Sequence, residues 1–108
     1  MGAERRRHVR VPYSQRGWFE AGAITLYATV GNISEGGIFV RTHAPLARGT
    51  TATIRLPVGS GGEIEAEAEV MWESSGSQGP AGMGLRFKTM DEQGRERLNA
   101  FLKDRGEG

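Results

Sequence analysis

The chain of 108 residues has no cysteine, which excludes a disulfide framework, a thiolate metal site and a cysteine nucleophile, and suits a reducing compartment. It also lacks any apolar run near the ~20 residues a membrane-spanning helix needs. Its first ten residues, MGAERRRHVR, are charged where a secretory leader carries an apolar centre. The expectation is a non-secreted, cytoplasmic protein with no membrane partner. His8 and His43 are the only histidines, and neither stands in a relation to Ser or Asp that suggests a nucleophile triad. No glycine-rich stretch ends in Gly-Lys-Ser or Gly-Lys-Thr, so a P-loop is not supported. A binding domain without catalytic machinery, metal or cofactor is what these absences leave.

Glycine, by contrast, is abundant. The 17 glycines are more than double the usual share of roughly 7 percent, a sign of many tight turns between short strands. Charge is unevenly placed. Residues 1–16 carry five Arg and one Glu, so the overall net charge of +1 leaves the remaining 92 residues at −3. A near-neutral body with a cationic arm implies an anionic partner. At this length there is room for one domain and one core.

The expected organisation is an arginine-rich arm over residues 1–10, a single domain over 11–104 and a tail over 105–108. The arm shows no helical or alternating pattern and reads as extended. Past Pro12, alternation dominates: Arg16–Glu20 around Trp18, then Ala23–Val30 with Ile24, Leu26, Ala28 and Val30 on one face. Gly31 to Gly37 is predicted as a turn. Strands follow over Ile38–Arg41 and Thr50–Leu56. The clearest signal is Glu63, Glu65, Glu67 and Glu69 alternating with Ile64, Ala66, Ala68, Val70 and Trp72, a strand with one wet and one dry face. Met83, Leu85 and Phe87 mark the last strand. From Asp91, an N-cap, Leu98, Phe101 and Leu102 take helical spacing up to Gly106, and Gly94 predicts that this helix is short. Six strands that must hide one apolar face predict an all-β, six-stranded antiparallel small barrel with one C-terminal α-helix at one end and an extended N-terminal arm. Trp18 and Trp72 are expected as core aromatics, with an edge of either able to line a ligand site.

Two constellations can carry chemistry. In the arm, Arg6 and Arg10 stand four residues apart, which on an extended chain sets two guanidinium forks on one side about 13 Å apart. Guanidinium meets phosphate and the guanine O6/N7 edge bidentately and stacks on a purine face. In the segment Asn32-Ile33-Ser34-Glu35-Gly36-Gly37, the Asn32 amide oxygen can accept from a guanine N–H, the Ser34 hydroxyl can donate to a phosphate or brace the turn, and the glycines allow close approach of a bulky ligand. The glutamate row reads as a solvated strand face, since no histidine accompanies it.

The pairing of Arg5, Arg6 and Arg10 (Arg-Arg-x-x-x-Arg) with Asn32, Ser34 and Gly37 (Asn-x-Ser-x-x-Gly) resembles the two-part signature of PilZ domains. Gly36-Gly37-Ile38-Phe39-Val40, Val70-Met71-Trp72 and Gly82-Met83-Gly84-Leu85-Arg86-Phe87 extend the likeness over residues 4–103. The resemblance implies a bacterial receptor for cyclic di-GMP that is not an enzyme. Its ligand would be held by Arg5, Arg6, Arg10, Asn32, Ser34, Gly36 and Gly37, and an unidentified protein would read the bound state. An arginine at position 5 implies two mutually intercalated ligand molecules per chain. Two other readings stay open: a nucleotide-free adaptor of the same fold, and a nucleic-acid-binding barrel, against which the net acidity of residues 17–108 counts.

Overall fold

The structure, a computed structural model, describes residues 10–58, 62–77 and 79–106. Six antiparallel strands are followed by one helix: β1 (Val11–Ala21), β2 (Ile24–Ile33), β3 (Gly37–Arg41), β4 (Thr51–Pro57), β5 (Glu63–Ser74), β6 (Gly82–Met90) and α1 (Glu92–Gly106). They close into a barrel in the order β1-β2-β3-β6-β5-β4. The seam is the pairing of Trp18, Phe19 and Glu20 with Arg55, Ile54 and Thr53. Closure removes the exposed edges that six strands of one sheet would otherwise present. Inside lie Phe19, Val30, Ile33, Ile38, Ile54, Leu56, Ile64, Val70 and Met83, all essentially without solvent contact.

β5 shows the expected two faces. Ile64, Ala66, Ala68 and Val70 are buried, Glu63, Glu65 and Glu67 are exposed, and Glu69 is half-buried. Among the outward groups, Glu69 pairs with Arg86 at 3.3 Å and Glu67 accepts from the Thr89 hydroxyl at 3.3 Å.

Where the expected pattern fails, a β-bulge, the parity of the strand or the end of the core is the reason. β1 has 11 residues, not the five around Trp18, because an extra residue between Pro12 and Gln15 breaks the alternation that would have revealed its first half. In β2, Val30 pairs with Val40 and Asn32 with Phe39, so Gly31 is the extra residue. The bulge shifts the parity, turns Ile33 into the core and sends Asn32 outward. Gly31, Asn32 and Ile33 therefore belong to the strand, and only Ser34 to Gly36 make the turn. A third bulge, between Val70 and Trp72, turns Trp72 out of the barrel, where it is 47% exposed. Trp18 is also outside, 40% exposed and stacked on Tyr27 with centroids 4.5 Å apart, since Gly17 and Phe19 take the inward positions. Ile24, expected inside, is exposed because the start of β2 runs past the core.

α1 follows β6 directly, so it sits at the barrel end where β1 begins and β2 gives way to β3. Asp91 caps it, its Oδ1 accepting the Gly94 N–H at 2.7 Å. The helix runs 15 residues, longer than Gly94 suggested. Gly94 lies in the first turn, where a Cβ would come within 3.0 Å of both the capping oxygen and Met90, and burial of Leu98 and Phe101 carries the rest of the helix. Phe101 meets Tyr13 edge-on at 5.6 Å, and Tyr13 donates its hydroxyl hydrogen to the Pro57 carbonyl. Burial pushes the Tyr13 phenol up to about 12, with Arg105 acting in the opposite direction. No helix among the described residues is long and apolar enough to cross a membrane.

Candidate functional site

The sequence motifs meet at the end of the barrel that α1 occupies. Arg10 enters β1 beside the last residues of β2, and the pairing of Val11 with Ile33 and Pro12 with Asn32 fixes that neighbourhood. There Arg10 Nη1 donates to Asn32 Oδ1 at 2.8 Å, joining the arm motif to the turn motif across 22 positions. Asn32 is available for this contact only because the Gly31 bulge points it outward. A carbonyl oxygen has two lone pairs, so Asn32 keeps acceptor capacity for a ligand.

Ser34 is not presented to solvent. It is 1% exposed and braces the turn: Oγ accepts the Gly36 and Gly37 N–H groups, each at 3.2 Å, and the Ser34 N–H reaches the Gly37 carbonyl at 2.8 Å. Of its two expected roles, the structure therefore shows the brace. Gly36 accepts the Phe87 N–H through its carbonyl at 2.9 Å, tying the turn to β6. Gly37 cannot carry a side chain, because a Cβ would collide with the Leu85 carbonyl oxygen on the paired strand. Asn32, Ser34, Gly36 and Gly37 are thus brought together with Arg10; Arg5 and Arg6 lie outside the described residues.

Two adjoining hollows open beside this turn. One, of about 510 Å³, runs from Arg10 and Ser34–Gly37 across Trp72 to Arg86 and Arg95. The other, of about 330 Å³, lies between Arg10, Asn32, Phe39 and Trp72. The wall they share is aromatic: Trp72 stacks on Phe39 with centroids 5.5 Å apart and 18° between planes. Gly84 makes this possible, since its missing side chain is the space the indole fills. Three guanidinium groups and one carboxylate, Glu35, border the larger hollow, a balance that favours an anion. A third hollow of about 480 Å³ is lined by Glu65, Glu67 and Asp91 and repels one. Phe39, Arg86 and Arg95 were not expected at the site, and Trp72 was expected there only by an edge from the core. Trp72 followed the dry face of β5 by alternation, and nothing in the residue types marks the bulge that reverses it.

The end of this small closed barrel thus carries a cationic, aromatic-walled hollow over a serine-braced glycine turn, a lining whose chemistry suits an anion. The family model of the PilZ domain matches residues 4–104, and the chain belongs to the PilZ family. Among solved structures it is similar to the inhibitor of motility MotI/DgrA of Bacillus subtilis (17% identity, TM-score 0.74, covering 91% of this chain and 50% of that one). It is likewise similar to the PilZ domain of Escherichia coli YcgR with c-di-GMP (19% identity, TM-score 0.70, 95% of this chain and 92% of that one). The complex of YcgR with c-di-GMP from the same organism matches at 21% identity and TM-score 0.72, over 93% of this chain and 45% of that one. The chain thus spans about half the length of MotI/DgrA. No curated protein matches it.

Proposed function

We propose that this PilZ domain is a cytoplasmic receptor for cyclic di-GMP that binds the ligand in the Arg10–Trp72 hollows and signals its occupancy to a protein partner. The observation that carries the proposal is the 2.8 Å hydrogen bond between Arg10 and Asn32, which joins both halves of the signature at the rim of a hollow built for an anion. Arg10 meets phosphate or the guanine O6/N7 edge, and Asn32 accepts from a guanine N–H. Ser34 acts through the turn it holds, while Gly36 and Gly37 let the ligand come close. Trp72 supplies a face for a purine. Arg5 and Arg6 complete the clasp from the arm, with Arg5 opposing the charge of a second, intercalated ligand molecule. The solved relative with c-di-GMP that this chain covers almost entirely supports the choice of nucleotide.

Titration calorimetry tests this. Cyclic di-GMP should bind the parent with a stoichiometry of two, falling toward one in Arg5→Leu. Arg10→Ala should weaken binding by about 1.5–3 kcal/mol, the range for charged hydrogen bonds, with an unchanged melting temperature. A parent silent toward cyclic di-GMP, or equally responsive to GMP and single-stranded DNA, would overturn the receptor reading. One ligand per parent chain would remove only the paired-ligand part.

The adaptor reading has one observation in its favour: Trp18 and Tyr27 form a stacked, exposed aromatic pair on the β1–β2 hairpin, the kind of surface that contacts another protein. In the receptor reading the same patch serves the output, and the titration separates the two.

A further inference from the structure

α1 brings Arg95 to the hollow that holds Arg10 and the Ser34–Gly37 turn, although 85 positions separate the two arginines. The capped first turn places it. Asp91 Oδ1 fixes the Gly94 N–H at 2.7 Å, and the Arg95 N–H closes the first helical bond to the Asp91 carbonyl at 3.0 Å. The next turns are held to the barrel, with Leu98 fully buried and Arg97 Nη1 donating to the Glu63 carbonyl at 2.8 Å. Arg95 is half-buried, and among the described residues no carboxylate lies within salt-bridge distance of it. Arg86, the other cation on this side, is paired with Glu69 at 3.3 Å. A guanidinium that a rigid helix start aims into an anion-favouring hollow is pre-organised for a phosphate.

We propose that Arg95 takes a phosphate oxygen of the bound cyclic dinucleotide, so that the ligand ties the start of α1 to the β2–β3 turn and to the entry of β1. The inference rests on the cyclic di-GMP reading and adds to it a charged contact from outside the two sequence motifs. It also gives that reading an output. The ligand binds only when α1 and the turn are in register, so occupancy must stabilise the first turns of the helix by linkage. The outward residues of α1, among them Glu96, Asn99 and Lys103, then present a steadier surface.

The experiment is calorimetry with cyclic di-GMP on the full chain, comparing the parent, Arg95→Ala, Arg95→Lys and Lys103→Ala. Lys103→Ala removes the same charge from the same helix outside the hollow, and so controls for net charge. Expected are a tenfold or greater loss of affinity for Arg95→Ala, a smaller loss for Arg95→Lys and a change within twofold for Lys103→Ala. Ligand-free melting temperatures of the Arg95 variants should stay at the parent value. Amide hydrogen exchange over residues 92–98 should slow on saturation in the parent and stay unslowed in saturated Arg95→Ala, a difference that a merely structural role would not produce. If the parent binds and Arg95→Ala binds as tightly, or if α1 exchange ignores the ligand, the Arg95 inference falls and the receptor reading stands. If the parent does not bind, both fall.

Discussion

Ser34 and Asn32 stand two positions apart in one motif and do different physical work. Ser34 is buried and accepts two backbone N–H groups; removing its oxygen orphans the buried Gly37 N–H and leaves the half-buried Gly36 N–H to solvent. Ser34→Ala should therefore destabilise the barrel by about 1–3 kcal/mol, the usual penalty for orphaned buried donors, measured as a lower urea midpoint. Asn32 is half-buried and bonds Arg10 at the rim. Asn32→Ala should leave the urea midpoint within about 0.5 kcal/mol of the parent yet weaken cyclic di-GMP binding roughly tenfold, a typical hydrogen-bond loss of about 1.4 kcal/mol. Because no charge is removed, the salt dependence of binding should not change. The reverse pattern, a stable Ser34→Ala and an unstable Asn32→Ala, would contradict this division.

At the scale of elements, bulges and glycines decide what the site looks like. Gly37 and Gly84 both lie where strands pack too closely for a side chain, but the neighbours differ. Opposite Gly37 stands the Leu85 backbone, and opposite Gly84 the exposed Trp72 side chain. A backbone carbonyl cannot step aside without breaking the β3–β6 ladder, whereas an indole can swing into solvent. Gly37→Ala should cost the upper end of the about 1–3 kcal/mol typical of overpacking, or prevent folding. Gly84→Ala should fold, displace Trp72 and lose part of the stacking worth about 1–3 kcal/mol per base. Thermal melts, tryptophan emission and cyclic di-GMP titration of the two variants distinguish these outcomes. Equal melts for both would sink the argument from neighbour mobility.

For the whole molecule, the helix end of the barrel is tied by Tyr13, which joins β1 to Pro57 of β4 and to Phe101 of α1. Its phenol is raised to about 12 in the fold, against about 10 in an unfolded chain. The unfolded state thus releases this proton first. The contribution to stability is fully present below pH 10 and is lost as pH rises from 10 through 12, on the order of 1–2 kcal/mol after screening. Urea midpoints should fall across that window in the parent and stay flatter in Tyr13→Phe. Parallel slopes would place the alkaline sensitivity elsewhere.

What the sequence determined by itself is what local chemistry controls. The wet and dry faces of β5, the Asp91 cap, the cationic arm and the two motifs are written in neighbouring residue types, and period-2 alternation sufficed for an all-β barrel with a final helix. Only the tertiary structure decided where that alternation is broken. The bulges at Gly31 and before Trp72 exist because six strands of unequal length must close into one barrel, and a bulge answers to the partner strand, which no local pattern reveals. Those two extra residues set Asn32 against Arg10 and Trp72 against Phe39. Strand pairing likewise brought Arg95 to the hollow from the far end of the chain, since β6 runs beside β3 and ends, where α1 begins, at the same end of the barrel as the β2–β3 turn and the start of β1.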